Sequence, residues 1–176
     1  GLNLIPAFGD LDGDVDIEML VGSNDGRLYY FENTGGITTP AFTFSAGNYQ
    51  SIDVGNAAAP QLFDLDEDGD LDLIIGEEDG NLNYYKNNGT TPNTFTLISE
   101  SLGGIDVSSP NFYNGYSVPN FYRQNDTLSL FVGSQEIGII QYDSIENVMA
   151  LPPQNEQIIG TGTLAPAGSD VTPTGP

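Results

Sequence analysis

The stretch FDLDEDGDLDLIIG, Phe63–Gly76, places six acidic side chains within nine residues, directly before a run of apolar residues. The acids that alternate with other residues are Asp64, Asp66, Asp68, Asp70 and Asp72. Two unpaired carboxylates about 4 Å apart repel each other by roughly 1 to 4 kcal/mol, depending on screening. A charge run usually marks a solvated face, but repulsion of this size favours a cation bound among the acids.

The same arrangement occurs 54 residues earlier in the chain. Aligned without a gap, Pro6–Asn33 and Pro60–Asn87 are identical at 12 of 28 positions. A weaker third copy covers Pro119–Asp143. Self-similarity at a fixed period of roughly this length is the signature of a repeat architecture. The sequence therefore predicts about three structural units.

Each unit has the pattern of short strands, and we find no helical periodicity. In the second unit LDLIIG and NLNYYKN are β-rich runs, and the Asp-Gly pair between them favours a tight hairpin with positive φ at both central residues. A fourth strand, TFTLIS, follows the turn NNGTTP. The prediction is an all-β protein made of β-propeller blades of four antiparallel strands, with about three blades present, either as a partial propeller or as part of a larger one. The alternative is a β-sandwich or barrel that contains a duplicated hairpin.

The repeat sets the predicted boundaries. Residues 1–50 and 51–104 form two blades that each carry an acidic loop, residues 105–150 form a degenerate third blade, and residues 151–176, rich in Pro, Gly and Thr, form a linker or tail. The start at Gly1 leads us to expect a processed chain or a piece of a longer one. Three blades do not close a ring, since propellers have four to eight.

Composition excludes several classes of function. The chain has 25 acidic residues against 3 basic ones and a net charge of −22, so it repels nucleic acid and anionic membrane surfaces and attracts cations. It contains no cysteine and no histidine, so a metal must be bound by oxygen. No apolar run approaches the roughly 20 residues that a membrane-spanning helix needs, so we expect no membrane insertion.

Calcium suits a loop of this kind because it takes six to eight oxygen ligands. Carboxylates at positions 1, 3, 5 and 9 and a backbone carbonyl at position 7 can surround one ion, and Gly69 permits the sharp bend. An EF-hand is excluded because it requires flanking helices and a glutamate at position 12, where Ile75 stands. Dockerin repeats need the same helices, and thrombospondin-type repeats need cysteines. Magnesium is the second choice, since it prefers a smaller octahedron and retains its waters.

The unit resembles the FG-GAP repeat, also called a VCBS-type repeat, which forms blades of integrin α-subunit propellers and occurs in large secreted bacterial proteins. The resemblance lies in the loop Asp-x-Asp-x-Asp-Gly-x-x-Asp followed by an apolar strand that ends in glycine, as in DLDEDGDLDLIIG. In the second loop it implies the calcium ligands Asp64, Asp66, Asp68 and Asp72, with the carbonyl of Asp70. In the first loop it implies Asp10, Asp12, Asp14 and Glu18, with the carbonyl of Asp16.

Two departures from the family pattern lie in the first loop, where Val15 replaces the glycine and Glu18 replaces the last aspartate. We therefore expect two calcium ions, with the stronger site at Asp64–Asp72. In the third unit Arg123 stands at the first ligand position and acids are too few. The sequence predicts no calcium there.

These observations predict a non-catalytic, extracellular or cell-surface calcium-binding module, secreted and bacterial, that acts as an adhesion, ligand-binding or structural scaffold. Extracellular calcium modules bind at about 0.1 to 1 mM, which fits that location. The expected partner is a protein or glycan, or neighbouring domains of a larger surface assembly; candidate contact residues are Tyr29, Asn83, Tyr113, Asn114 and Tyr116. The alternative is an accessory propeller of a secreted polysaccharide-degrading enzyme, or a glycan-binding lectin. Catalysis is disfavoured because His and Cys are absent and the acids are assigned to metal loops.

Overall fold

A computed structural model describes residues 4–108, 114–135, 137–143, 145 and 163–164. Within these residues the chain forms three four-stranded antiparallel sheets, and its helical content is limited to two short 3-10 turns, Tyr49–Ser51 and Leu102–Gly104. The all-β prediction with four-stranded units is confirmed. The sheets are propeller-like blades that do not close a ring.

In every sheet the strands follow one another in chain order. Sheet I contains β1 (Ile5–Gly9), β2 (Glu18–Gly22), β3 (Leu28–Asn33) and β4 (Phe42–Ala46). Sheet II contains β5 (Ala59–Phe63), β6 (Asp72–Gly76), β7 (Leu82–Asn87) and β8 (Phe95–Ser99). Sheet III contains β9 (Val118–Gln124), β10 (Thr127–Ser134), β11 (Gly138–Asp143) and β12 (Thr163–Leu164).

The Asp-Gly pairs form the predicted hairpins, but with a different turn. In sheet I the N–H of Gly26 donates to the carbonyl of Ser23 at 3.1 Å, and the N–H of Ser23 donates to the carbonyl of Arg27 at 3.0 Å. Gly26 has a φ of 77°, whereas Asp25 is not among the residues with positive φ. The hairpin therefore needs left-handed backbone only at the glycine, and the expectation for both central residues was wrong.

The sheets pack face to face in the order I, II, III. One apolar cluster lies between sheets I and II, and a second lies between sheets II and III. The cluster between sheets I and II includes Leu20, Leu28, Leu62, Leu73, Ile75 and Tyr85. The cluster between sheets II and III includes Phe63, Ile74, Leu82, Tyr84, Phe121, Leu130 and Val132. We call the face of sheet II that contacts sheet I its front face and the opposite one its back face, and the equivalent faces of sheets I and III take the same names.

Strand register clarifies the degenerate third unit. Tyr142 lies opposite Leu130, as Tyr85 lies opposite Leu73 in sheet II. Tyr142 therefore corresponds to Tyr85. The short strand β12, which pairs with β11, comes from the stretch 151–176 that the sequence assigns to a linker or tail.

Glycine closes the second strand of sheets I and II for a steric reason. A Cβ built on Gly22 would lie 2.2 Å from the carbonyl oxygen of Ala58, and one on Gly76 would lie 2.1 Å from that of Ser117. Both neighbours are backbone atoms that precede the next sheet, so they cannot move aside. At the equivalent Gly133 the nearest atom, Cβ of Val118, is 3.6 Å away, which is an ordinary contact.

We predict that Gly76→Ala lowers the free energy of unfolding by at least about 2 kcal/mol, because overpacking against fixed backbone forces the sheets apart. Gly133→Ala is the matched control and should change the free energy of unfolding by less than about 0.5 kcal/mol. Urea denaturation of the two variants measures the difference. Equal losses in both variants would contradict this account of sheet packing.

Candidate metal centres

The two acidic loops occupy equivalent places between the first two strands of sheets I and II. Loop 1 (Asp10–Glu18) follows β1 and ends at the first residue of β2, and loop 2 (Asp64–Asp72) does the same between β5 and β6. The last acid of each loop is fully buried, with a relative exposure of 0% for both Glu18 and Asp72. Each loop is therefore anchored in the protein interior at its ninth position.

The two loops share one backbone hydrogen-bond pattern. The carboxylate at position 1 accepts from the N–H at position 6: Asp10 from Val15 at 3.1 Å and Asp64 from Gly69 at 3.2 Å. The carboxylate at position 3 accepts from the N–H two residues later at 3.3 Å in both loops. These local bonds hold the alternating carboxylates on the inside of the bend.

Position 6 requires left-handed backbone in both loops. Gly69 has a φ of 96°, and Val15 adopts a φ of 80° although it is β-branched. A β-branched residue in this region is strained, at a cost of about 1 to 2 kcal/mol. Val15 therefore differs from the glycine of the family pattern in its side chain, while the backbone conformation of the loop is the same as at Gly69.

In loop 1 the five acidic residues fall into two groups that share Glu18. Two groups of carboxylates have ligand atoms within 4.8 Å of one another, and both include Glu18. The first group contains Asp10, Asp12 and Glu18, and the second contains Asp14, Asp16 and Glu18. Glu18 Oε2 accepts from the N–H of Leu11 at 2.6 Å, while its Oε1 and the Oδ1 of Asp16 are buried without a hydrogen-bond partner. Two buried oxygens are thus available to a cation.

The charged form of Glu18 is disfavoured in this environment. Burial raises the pKa of Glu18 to about 7, and the nearby carboxylate of Asp12 adds to the increase, against the hydrogen bond from Leu11. Burial and the neighbouring Asp14 also raise the pKa of Asp12. These shifts express the cost of gathering carboxylates without a positive charge, and a bound cation would remove that cost.

In loop 2 fewer acids converge. The group with ligand atoms within 4.8 Å contains Asp64, Asp66 and Asp68 and does not extend to Asp70 or Asp72. Asp72 Oδ1 accepts from the N–H of Asn87 at 2.8 Å, and its Oδ2 accepts from the N–H of Leu65 at 3.3 Å and from the Tyr84 hydroxyl at 3.2 Å. Asp72 therefore uses both oxygens to tie the loop to β7.

Two basic side chains pair with acidic residues of loop 2. The ammonium group of Lys86 donates to Asp66 and, at 2.8 Å, to Asp68. The guanidinium group of Arg123, from sheet III, pairs with Glu67 and lies 5.8 Å from the ring centroid of Phe63. The position that corresponds to Lys86 in unit 1 is Glu32, and Arg27 pairs with Asp25 and Asp53. All three basic side chains thus have acidic partners, and none of these partners belongs to loop 1.

Sequence reasoning missed the residues that hold loop 1 from sheet II. The side-chain amide of Asn93 donates to the carbonyl of Asp10 at 3.2 Å, and the N–H of Asn93 donates to the carbonyl of Leu11 at 3.0 Å. Gln50 in turn donates to the carbonyl of Asn93 at 2.8 Å. No local pattern marks Asn93, because its role depends on how two sheets stack.

Of the five residues that the sequence suggests as ligand contacts, two bond to Glu78, two are buried or half-buried, and one lies outside the described residues. Asn114 and the Tyr116 hydroxyl both donate to Glu78 Oε1, at 2.6 and 2.9 Å. Asn83 is buried at 7% exposure, and Tyr29 is half-buried. Tyr113 lies outside the described residues.

Comparison with known families agrees with this geometry. The family model of the FG-GAP-like repeat matches residues 10–75, which run from loop 1 into β6 and include both acidic loops. Residues 10–75 are therefore built of FG-GAP-type repeats, and repeats of this type are typical of extracellular proteins. Searches of curated proteins and of solved structures find no significant match. In the described part of the chain no helix is long and apolar enough to cross a membrane.

Strain at position 6 predicts opposite effects on stability when valine and glycine are exchanged in the two loops. Val15→Gly should stabilise the protein by about 0.5 to 1 kcal/mol, since relief of left-handed strain exceeds the entropy cost of glycine. Gly69→Val, which places the same side chain in the equivalent bend, should destabilise it by about 1 to 3 kcal/mol. Thermal unfolding at one fixed buffer composition measures both. Destabilisation by Val15→Gly would show that the isopropyl group contributes packing that outweighs the strain.

Proposed function

We propose that the chain is a non-catalytic, calcium-stabilised extracellular module that serves as a structural or adhesive scaffold. The observation that carries the proposal is the pair of three-carboxylate groups in loop 1 that share Glu18, which is fully buried and has one oxygen without a partner. Uncompensated buried charge is too costly to retain without a counter-ion. A hard divalent cation with many oxygen ligands matches such a set, and calcium fits it better than magnesium.

In this proposal calcium is structural. Glu18 opens β2 and Asp10 follows β1, so an ion between them would join two strands through the loop. Binding free energy then becomes folding free energy. Acids that repel each other in the absence of the ion would hold the blade together in its presence.

We expect chelation to destabilise the protein. At a calcium concentration a hundredfold above the dissociation constant, each site adds about 2.7 kcal/mol, which corresponds to a melting-temperature increase of roughly 5 to 10 °C for a protein of this size. Differential scanning calorimetry in excess calcium and in excess EDTA measures this. An identical melting temperature in both would contradict a structural role for calcium.

Two isosteric substitutions separate metal binding from ordinary stability. Glu18→Gln should reduce calcium binding at loop 1, seen in isothermal titration calorimetry as the loss of one site, and should diminish the melting-temperature increase on calcium addition. Asp72→Asn should destabilise the protein to a similar extent with and without calcium, because its oxygens accept three protein hydrogen bonds. If Asp72→Asn instead abolished one calcium site, Asp72 would be a ligand as the family resemblance implies.

Lys86 is expected to lower the calcium affinity of loop 2, because an ion must displace its ammonium group from Asp66 and Asp68. This effect opposes the order of affinities that the sequence predicts from Val15 and Glu18. In a Glu18→Gln background, Lys86→Met should raise calcium affinity at loop 2 by about tenfold, or 1.4 kcal/mol. Arg27→Met is the control, since Arg27 pairs only with Asp25 and Asp53 among the described ion pairs. Weaker binding in the Lys86→Met variant would show that the lysine supports the site.

The scaffold role covers either a protein or glycan ligand or neighbouring domains of a surface protein. Among the candidate contact residues, Asn114 and Tyr116 are engaged with Glu78, so they favour an architectural role over an open recognition surface. Hydrolase and lyase assays on glycans should detect no turnover by this chain. A glycan array separately measures whether the partner is a glycan. Turnover would identify it as part of an enzyme and contradict the proposal.

A further inference from the structure

The front face of sheet I carries a row of apolar side chains that pair across all four strands. The row consists of Phe8, Met19, Phe31 and Phe44. The equivalent rows are Leu62, Leu73, Tyr85 and Leu97 in sheet II, and Phe121, Leu130 and Tyr142 in sheet III. Sheet I covers Leu62, Leu73 and Tyr85 of the sheet II row, whereas Leu97 on the outer strand is 43% exposed. Sheet II covers the row of sheet III, but no sheet of the described residues covers the row of sheet I. Phe8 and Phe121 occupy the same register position in sheets I and III, but Phe8 is 50% exposed and Phe121 is 5% exposed.

The back face of sheet III is the opposite end of the same stack. Leu28 and Leu82 are fully buried on the back faces of sheets I and II, whereas Ile139, at the same register position, is 57% exposed. Tyr122, which corresponds to Phe63, is 51% exposed. Each end of the stack therefore presents the apolar side chains that the interior interfaces bury.

The two ends match each other in detail. Between sheets II and III, Phe63 stacks on Phe121 with ring centroids 5.6 Å apart. The Gln61 amide accepts from the N–H of Phe121 at 2.8 Å and donates to its carbonyl at 3.3 Å. Sheet III offers Tyr122 and Asn120 at the positions of Phe63 and Gln61.

Sheet I completes this match with Phe8, which stands at the position of Phe121. The interface between sheets I and II uses a different set, with Ala7, Gly9 and Leu62 at the corresponding positions. The free ends thus reproduce the aromatic interface between sheets II and III and differ from the interface between sheets I and II.

We propose that this chain assembles head to tail: the front face of sheet I of one copy docks on the back face of sheet III of a second copy. Tyr122 of one copy stacks on Phe8 of the other, Asn120 takes the place of Gln61, and Ile139 joins the apolar cluster. Such a heterologous contact continues the blade stack and generates either a closed ring or a filament. None of these contact residues belongs to an acidic loop, so the proposal does not depend on the function of those loops.

Analytical ultracentrifugation tests the assembly at about 0.15 M salt, where repulsion between acidic copies is screened, and in calcium. The native chain should sediment as a dimer or larger species as its concentration rises to about 100 μM. Phe8→Asp and Tyr122→Asp should each remain monomeric, and Ile37→Asp, at a loop residue that is 71% exposed, should behave as the native chain. A native chain that stays monomeric over this range would overturn the proposal.

Mixing the variants distinguishes head-to-tail docking from a symmetric dimer. Phe8→Asp retains a native sheet III and Tyr122→Asp retains a native sheet I, so an equimolar mixture should form a dimer with one copy of each. If Tyr122→Asp alone still dimerised while Phe8→Asp did not, the contact would be front to front and the proposal wrong.

Cross-linking gives a second measurement that does not require charge in the interface. Because the chain has no cysteine, a single introduced thiol is unique. Phe8→Cys mixed with Tyr122→Cys should yield dimers with a short thiol-reactive cross-linker, whereas Phe8→Cys mixed with Ile37→Cys should yield at least tenfold less. Equal yields from both mixtures would contradict the docking geometry. Circular dichroism of each variant verifies that the sheets are retained.

Discussion

The main constraint on sheets I and II is that each buries a carboxylate at the start of its second strand. Glu18 and Asp72 are both fully buried, and each accepts a hydrogen bond from the residue at position 2 of its own loop, Leu11 or Leu65. This bond closes the loop on itself and fixes the register at which the second strand begins. Burial of a carboxylate is costly unless it is hydrogen-bonded or paired with a cation, so each unit needs a means of compensation.

The two units compensate in different ways on the same backbone. Asp72 accepts three hydrogen bonds, and the nearby acids receive Lys86. Glu18 accepts one bond from Leu11 and has an oxygen without a partner, and among the described residues no basic side chain pairs with its loop. Two loops that look alike in sequence thus differ in how their buried carboxylates are satisfied: two buried oxygens lack a partner in loop 1, on Asp16 and Glu18, and one lacks a partner in loop 2, on Asp64.

Sequence predicted the architecture well because the information is local and repeated. Apolar strands that end in glycine specify the units, together with an Asp-Gly turn in the first two, and duplication makes the pattern visible. Whether an acid contacts an ion or a backbone N–H is not local: Asp72 satisfies the ligand spacing, yet its oxygens accept from Asn87 and Tyr84, which are distant in sequence. The same holds for Lys86, whose long side chain reaches the loop only because β7 lies beside it.

The third unit lacks the acidic loop and instead supports the loop of its neighbour. Arg123 stands where the first ligand would be, and its guanidinium group reaches back to Glu67 and, at 3.5 Å, to the carbonyl of Leu65 in loop 2. An aspartate at position 123 would add negative charge to that already acidic region. Arginine instead places positive charge against loop 2 and stacks on Phe63 between the two sheets. Degeneration of the third loop therefore contributes to the interface that holds sheets II and III together.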